Sequence, residues 1–229
     1  MQKSSPTLQG YFDKIYCINL SRRTDRWQEM LVICKKENIE LERFEAVDGN
    51  PMNWSDNRYP LRLSSFPGAM GCLASHLNVY KDAKLNNYEK VLIIEDDCDF
   101  TENINSIFSE NINRLPEDWD LFYFGGMHNT RGGKFYPETI TDSIVKAKEI
   151  MTTTCYAVRH TVFDLLINTL EKELPEPYTP IDGYLCLEIQ PKCNTYAFHP
   201  PIAWQRASHS DVQNGFRNYS NIMKYDNIN

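Results

Sequence analysis

The 229-residue sequence has no C-x-x-C pair, no apolar run of 18 residues, and no G-x-G-x-x-G or Walker-type glycine loop. Its seven cysteines are an odd number without zinc-ribbon spacing, so neither a zinc site nor a complete disulfide framework is suggested. Cys17, Cys34 and Cys155 fall in apolar patterns and are expected to be small buried hydrophobes in a reducing compartment. The first residues, MQKSSPTLQGYFDK, lack the apolar centre of a signal peptide, and no stretch is long enough for an integral membrane segment. A soluble, cytoplasmic protein is expected, with the ER lumen as the setting if the chain is an excised domain. A net charge of −7 argues against a broad nucleic-acid or anionic-membrane surface, and leaves room for one local basic pocket. Repeats and low-complexity tracts are also missing. The hydrophobic content of 41% can fill a substantial core, so one domain over residues 1–229 is expected.

What stands out is KVLIIEDDCD, Lys90 to Asp99. Val91, Leu92, Ile93 and Ile94 run directly into Glu95, Asp96 and Asp97. Such an unbroken aliphatic run reads as a strand buried on both faces of a parallel sheet. Ligands of open α/β sheets bind beyond the carboxyl ends of such strands. Two like charges about 4 Å apart repel by roughly 4 kcal/mol at an effective dielectric near 20. A divalent cation with oxygen ligands, Mn²⁺ or Mg²⁺, would neutralise that repulsion; the competing reading is a solvated acidic turn.

Strands and helices alternate along the chain. Lys14 to Leu20 reads as a strand, and Thr24 as the cap of a helix over Asp25 to Lys36 carrying Trp27, Met30, Leu31 and Cys34. Leu41 to Val47 is a second strand ending in the turn Asp48-Gly49-Asn50-Pro51, and residues 51–67 read as an ordered loop. Gly71 to Leu85 is helical through Leu73, His76, Leu77 and Tyr80. The acidic strand precedes a helix with Ile104, Ile107, Phe108 and Ile112. Trp119 to Gly126 is a strand, 127–148 reads as loop, Met151 to Val158 as β, and His160 to Lys172 as helix. The tail after Pro201 shows little periodicity. This order predicts an α/β, mainly parallel sheet flanked by helices. Residues of about 13–126 are expected to form a nucleotide-binding half, about 127–212 an acceptor half, and 213–229 a polar tail.

Polar groups cluster at the strand ends. Asn19 to Arg26 follows the first strand and opens a helix, so Arg22, Arg23 and Arg26 could line a diphosphate pocket or serve as solvated helix-start charges. His76 lies on an apolar helix face, where a satisfied core histidine competes with a ligand contact. Gly125-Gly126 either ends a strand or permits close approach of a ligand. Asp182 is either a helix cap or a catalytic carboxylate. His209 and Asp211 form an H-x-D pair that could complete a metal shell.

INLSRRTDRW (Ile18 to Trp27), FEAVDG (Phe44 to Gly49), GCLASH (Gly71 to His76), VLIIEDDCDF (Val91 to Phe100), TTTCYAVRH (Thr152 to His160), PIDGYL (Pro180 to Leu185) and WQRASHSDV (Trp204 to Val212) occur in this order. Together, over roughly residues 13–212, they resemble glycosyltransferase family 25, which holds lipopolysaccharide-type sugar transferases and procollagen galactosyltransferases. Gln205 to Asp211, Q-x-x-x-x-S-D, leans towards the collagen-modifying branch. The animal members' paired domains and secretory signals have no counterpart here, so a single-domain bacterial, viral or excised version is expected. The resemblance implies a GT-A-like fold, a UDP-sugar donor, and inverting transfer of a hexose to a hydroxyl of a glycan or collagen-like hydroxylysine. It further implies that Asn19, Leu20, Arg22, Arg26, Asp48, His76, Glu95 and Asp96 hold the donor. Asp97, Glu95 and His209 would hold Mn²⁺ or Mg²⁺. Asp182, with Asp211 in reserve, would be the general base. A metal-dependent phosphoester hydrolase and a non-catalytic nucleotide-sugar-binding module are the competing readings.

Overall fold

The computed structural model describes residues 5–49, 67–129, 136–174, 177–212 and 215–224. The expected loop at 51–67 therefore lies almost wholly outside the described residues, as does the loop tip Arg131 to Lys134. The centre of the fold is an eight-stranded sheet. Its main strands are β1 (Lys14–Asn19), β2 (Glu42–Glu45), β3 (Lys90–Glu95), β5 (Leu121–His128), β8 (Ile150–Arg159) and β9 (Thr195–Phe198). Short strands β6 (Glu138–Thr139) and β7 (Ile144–Lys146) complete it, in the order β2-β1-β3-β8-β5-β9-β7-β6. β2, β1 and β3 run parallel, as do β5 and β9; β8 lies antiparallel between β3 and β5. This is the mainly parallel α/β sheet that the sequence pattern predicts.

Alternate side chains of each central strand enter opposite cores, as the two-residue period of a strand requires. Tyr16, Val91, Ile93, Tyr123 and Tyr156 face one side with α3 (Pro67–Leu85) and α5 (Phe163–Glu173). Ile15, Cys17, Leu92, Ile94 and Phe122 face the other with α1 (Leu8–Tyr11), α2 (Thr24–Lys36) and α4 (Ile104–Asn111). Cys17, Cys34 and Cys155 are buried in the second core, and all seven cysteines are free. No helix among the described residues is long and apolar enough to cross a membrane.

Several local expectations are corrected. Arg23, not Thr24, occupies the N-cap of α2, without a capping side-chain bond. The buried stripe of that helix is Arg26, Met30 and Cys34, while Leu31 faces solvent. Arg26 turns inward because the acidic residues beneath it are stronger partners than water, so charge pairing overrides the apolar pattern. Residues 127–148 are not all loop, because β6 and β7 extend the sheet edge. The tail contains β10 (Ala203–Gln205), β11 (Ser208–Ser210), β12 (Gly215–Arg217) and α7 (Ser220–Lys224). β10 pairs with β4 (Cys98–Phe100), and β11 with β12; strands of three residues are too short for a period to show. Gly125 is tightly approached, but by backbone: a Cβ there would lie 1.8 Å from the Ala203 carbonyl oxygen.

Candidate active site

β3 and β4 are separated only by Asp96 and Asp97, so the acidic triad forms a tight turn at the carboxyl edge of the sheet. A cavity of about 350 Å³ runs along that edge. Strand order fixes what lines it. Asp48 follows β2, Leu20 and Arg22 follow β1, and Glu95, Asp96 and Asp97 end β3. Thr152, Thr153 and Thr154 start the antiparallel β8, and Met127 lies near the end of β5. Asp182 enters from α6 (Ile181–Tyr184), His76 from α3, Gln205 from β10, and Asp211 from the turn after β11.

Each member of the triad has its own surroundings. Asp96 is buried and accepts from Asn19 Nδ2 and Arg26 Nη1, both at 2.6 Å. Asn19 is itself buried, donates also to the Arg23 carbonyl, and accepts from Arg43, so its side chain is occupied within the protein. Glu95 accepts from Thr153 Oγ1 at 2.7 Å and lies 3.3 Å from His76 Nε2. Burial pushes Glu95 up, but hydrogen bonds from His76 and Thr153 and the charge of Arg26 outweigh it and leave its pKa below the ordinary value. Asp97 accepts from Gln205 Nε2 at 3.0 Å and lies 3.4 Å from Arg26 Nη1, both at Oδ2. Its Oδ1 is buried with no hydrogen-bond partner. Burial, then the adjoining Glu95 charge, pushes Asp97 up to about 7.

His76 is fully buried, with Tyr156 Oη 2.7 Å from Nδ1 and Tyr80 Oη 2.5 Å beyond. If Nε2–H is assigned as the donor to Glu95, the two tyrosine hydroxyls form one chain ending on Nδ1. His76 is therefore both a satisfied core histidine and a wall of the cavity.

Asp182 is not a cap. Pro180 holds the N-cap of α6, and Asp182 accepts at Oδ1 from the Gly183 N–H at 2.9 Å. Burial raises its pKa, opposed by backbone N–H groups of Gly183 and Thr152. Asp211 behaves in the opposite way. It pairs with Arg22 at 2.8 Å and with Arg23, and these arginines outweigh its burial and lower its pKa. Arg22 also donates to Asp48 at 2.9 Å. His209 is exposed in β11 and does not line the cavity; only its carbonyl takes part, accepting from Arg26 at 2.8 Å. The structure thus brings Asp97, Glu95 and Asp182 to one cavity and leaves the His209 imidazole outside it.

Four groups that build the site have no role assigned from sequence alone. Gln205 holds Asp97, and Arg206 binds the backbone of the acidic turn, donating from Nη2 to the Asp96 carbonyl at 2.9 Å and from its N–H to that of Asp97 at 2.7 Å. Thr153 holds Glu95. Thr152 has φ 78°, an outlier for a β-branched residue, and its Oγ1 is buried with no partner. Gln205, Arg206, Thr152 and Thr153 all lie in the motif segments WQRASHSDV and TTTCYAVRH, which is the signal that could have found them. Such a conformation costs of the order of 1–3 kcal/mol. Thr152→Gly, which removes the Cβ clash and the orphaned hydroxyl, should raise stability to chemical denaturation by about 1 kcal/mol after its own entropic cost. A destabilised variant would show that this backbone is unstrained.

The sequence profile of glycosyltransferase family 25 (LPS biosynthesis protein) matches residues 12–183. The chain belongs to glycosyltransferase family 25. Procollagen galactosyltransferase 2 of Homo sapiens is 36% identical over 129 residues, covering 50% of this chain and 21% of that protein. The inactive glycosyltransferase 25 family member 3 of Homo sapiens is 31% identical over 134 residues, covering 50% and 22%. The match thus spans about a fifth of the length of these relatives. Among solved structures, a glycosyltransferase involved in glycosylating the major capsid of PBCV-1 aligns at TM-score 0.49 with 11% identity, covering 80% of each chain.

Proposed function

We propose that this chain is an active, UDP-sugar-dependent transferase of its family. It moves a hexose, galactose or glucose, with inversion to a hydroxyl of a glycan or collagen-like hydroxylysine. The observation that carries the reading is the buried, unpartnered Oδ1 of Asp97 in a cavity that also holds Arg22, Arg26 and Asp182. An oxygen without a donor beside two further carboxylates fits a hard cation such as Mn²⁺ or Mg²⁺, held by Asp97 and Glu95. Bound there, such an ion supplies Lewis-acid neutralisation of the charge that gathers on a departing nucleoside diphosphate. Arg22 fits the same anion, and Leu20 and Asp48 line the end of the cavity suited to the nucleoside.

The chemistry needs one proton acceptor. As the acceptor hydroxyl oxygen bonds to the anomeric carbon, the bond from that carbon to UDP breaks and the hydroxyl proton passes to a carboxylate. Asp182 suits that role because its raised pKa makes it a better base, whereas the two arginines on Asp211 make it a weak one. Arg26 and Asn19 hold the acidic turn in place through Asp96. A two-cation hydrolase is less favoured, since both Asp96 oxygens are already engaged.

Calorimetry checks the donor half: UDP should bind, and at least tenfold more tightly with Mn²⁺ than with excess chelator. Release of UDP from a panel of UDP-sugars, with and without hydroxylysine peptides or glycans, checks the transfer half. Equal UDP affinity in chelator would remove the metal from the proposal; UDP binding without release to any acceptor would favour a binding module.

A further inference from the structure

We propose that Cys72, His76 and Glu95 form a binding site for a thiophilic cation of the zinc class, and that filling it blocks transfer. The blocking part rests on the transferase reading above; the binding part does not. Cys72 and His76 are four residues apart on α3 and so share one helix face, against the end of β3 that carries Glu95. One donor atom from each lies within 4.8 Å of the others. His76 Nε2 is 3.3 Å and Cys72 Sγ 4.0 Å from the same Glu95 oxygen. Bonds of about 2.0–2.3 Å around tetrahedral zinc place neighbouring donors roughly 3.3–3.8 Å apart, so the three need only small shifts to close on an ion.

The outer contacts also fit. A metal-bound histidine is steadied by a partner on its other nitrogen, and Tyr156 Oη stands 2.7 Å from His76 Nδ1. The hydroxyl rotors of Tyr156 and Tyr80 can turn to accept from Nδ1–H once Nε2 binds metal. Thr153 holds the Glu95 carboxylate at 2.7 Å. All three donors line the cavity, which supplies an entry path and leaves a fourth coordination position for water.

Ligand chemistry separates this site from the hard-ion position at Asp97. Thiolate with imidazole selects Zn²⁺ or Co²⁺ over Mg²⁺ and Mn²⁺, while the Asp97 side offers only oxygen. Glu95 stands between the two. A cation drawn towards α3 takes this carboxylate from the Asp97 side, and transfer stops.

The binding arm of the test uses the whole chain, stripped with chelator and desalted, without donor or acceptor. A second arm follows UDP release from the UDP-sugar panel with hydroxylysine peptides or glycans in Mn²⁺, which equimolar Zn²⁺ should cut at least tenfold. Zn²⁺ should bind with one-to-one stoichiometry in calorimetry, and Co²⁺ should give thiolate charge-transfer absorption. Cys72→Ala should lose that absorption and bind Zn²⁺ at least tenfold more weakly, with Mn²⁺ affinity unchanged. The absence of a thiolate band in the unaltered protein overturns the site, even if the variant proves unstable. Equal zinc affinity in Cys72→Ala overturns it too. Zinc binding with undiminished transfer overturns the blocking part alone. A chain with no transfer activity under any condition refutes the transferase reading, and the blocking with it, while the binding result stands.

Discussion

Asp97→Asn is expected to lower transfer by at least about a hundredfold, roughly 2.7 kcal/mol of transition-state stabilisation, and to abolish stabilisation by Mn²⁺. Asn keeps the side-chain volume and can still accept at the position facing Gln205 and Arg26, so the fold should persist. Its stability should depend on pH in a defined way. Asp97 sits at about 7 in the folded protein and near 3.8 as its ordinary value. A raised carboxyl contributes stability that is complete below the unfolded value and is lost as pH rises through the folded one. Metal-free wild type should therefore fall behind Asp97→Asn progressively between about pH 4 and pH 7, and the gap should then level off. Mn²⁺ should raise the wild-type melting temperature more at pH 8 than at pH 5, because protons compete for the same oxygen, and should leave the variant unmoved. Retention of more than a tenth of the wild-type rate would remove Asp97 from the metal site. A gap independent of pH would show that its carboxyl is not raised.

The acidic turn also shows how far the sequence could be read. Val91 to Ile94 announce a buried central strand because four aliphatic residues in succession leave no solvent face, and the strand's end then locates the site. The repulsion among Glu95, Asp96 and Asp97 is visible in sequence as well, but its resolution is not. Arg26, four residues ahead of Met30, reads as a helix-surface charge, yet it turns inward to Asp96 and Asp97. Asn19, 77 residues from Asp96, supplies another donor. Protein groups therefore absorb much of the repulsion assigned to a cation, and what remains for a metal is one oxygen of Asp97 with help from Glu95. The roles of Gln205 and Arg206 are hidden in the sequence for a related reason. Both lie more than 100 residues from the turn they hold, at and just beyond the end of β10, whose pairing is set by β4 rather than by any period of its own. The spacing of His209 to Asp211 suggests a shared metal shell, but the chain leaves β11 after Ser210, so the His209 ring stays exposed while Asp211 pairs with Arg22 and Arg23.

Asp182→Asn separates a proton-accepting role from a structural one. The amide oxygen can still accept from the Gly183 N–H, so stability should change by less than about 1 kcal/mol at neutral pH. A neutral amide cannot take a proton, and transfer should fall by roughly a hundredfold or more, with UDP affinity little changed if the proton-accepting role is the one that Asp182 serves. The pH profile supplies a second check. Burial raises the Asp182 pKa, and the ionised form is the base, so wild-type kcat/KM should climb as pH rises through that raised value and then level off. The variant's residual rate should lack this limb. Linkage runs the other way: the raised carboxyl stabilises the fold at low pH and gives that contribution up as pH rises, so the variant should gain on wild type in stability over the range where wild type gains in activity. Opposite slopes in rate and stability across one pH interval identify a buried carboxyl kept for chemistry. A variant that transfers sugar at near wild-type rate assigns Asp182 to the scaffold of α6, and Asp211→Asn becomes the deciding substitution.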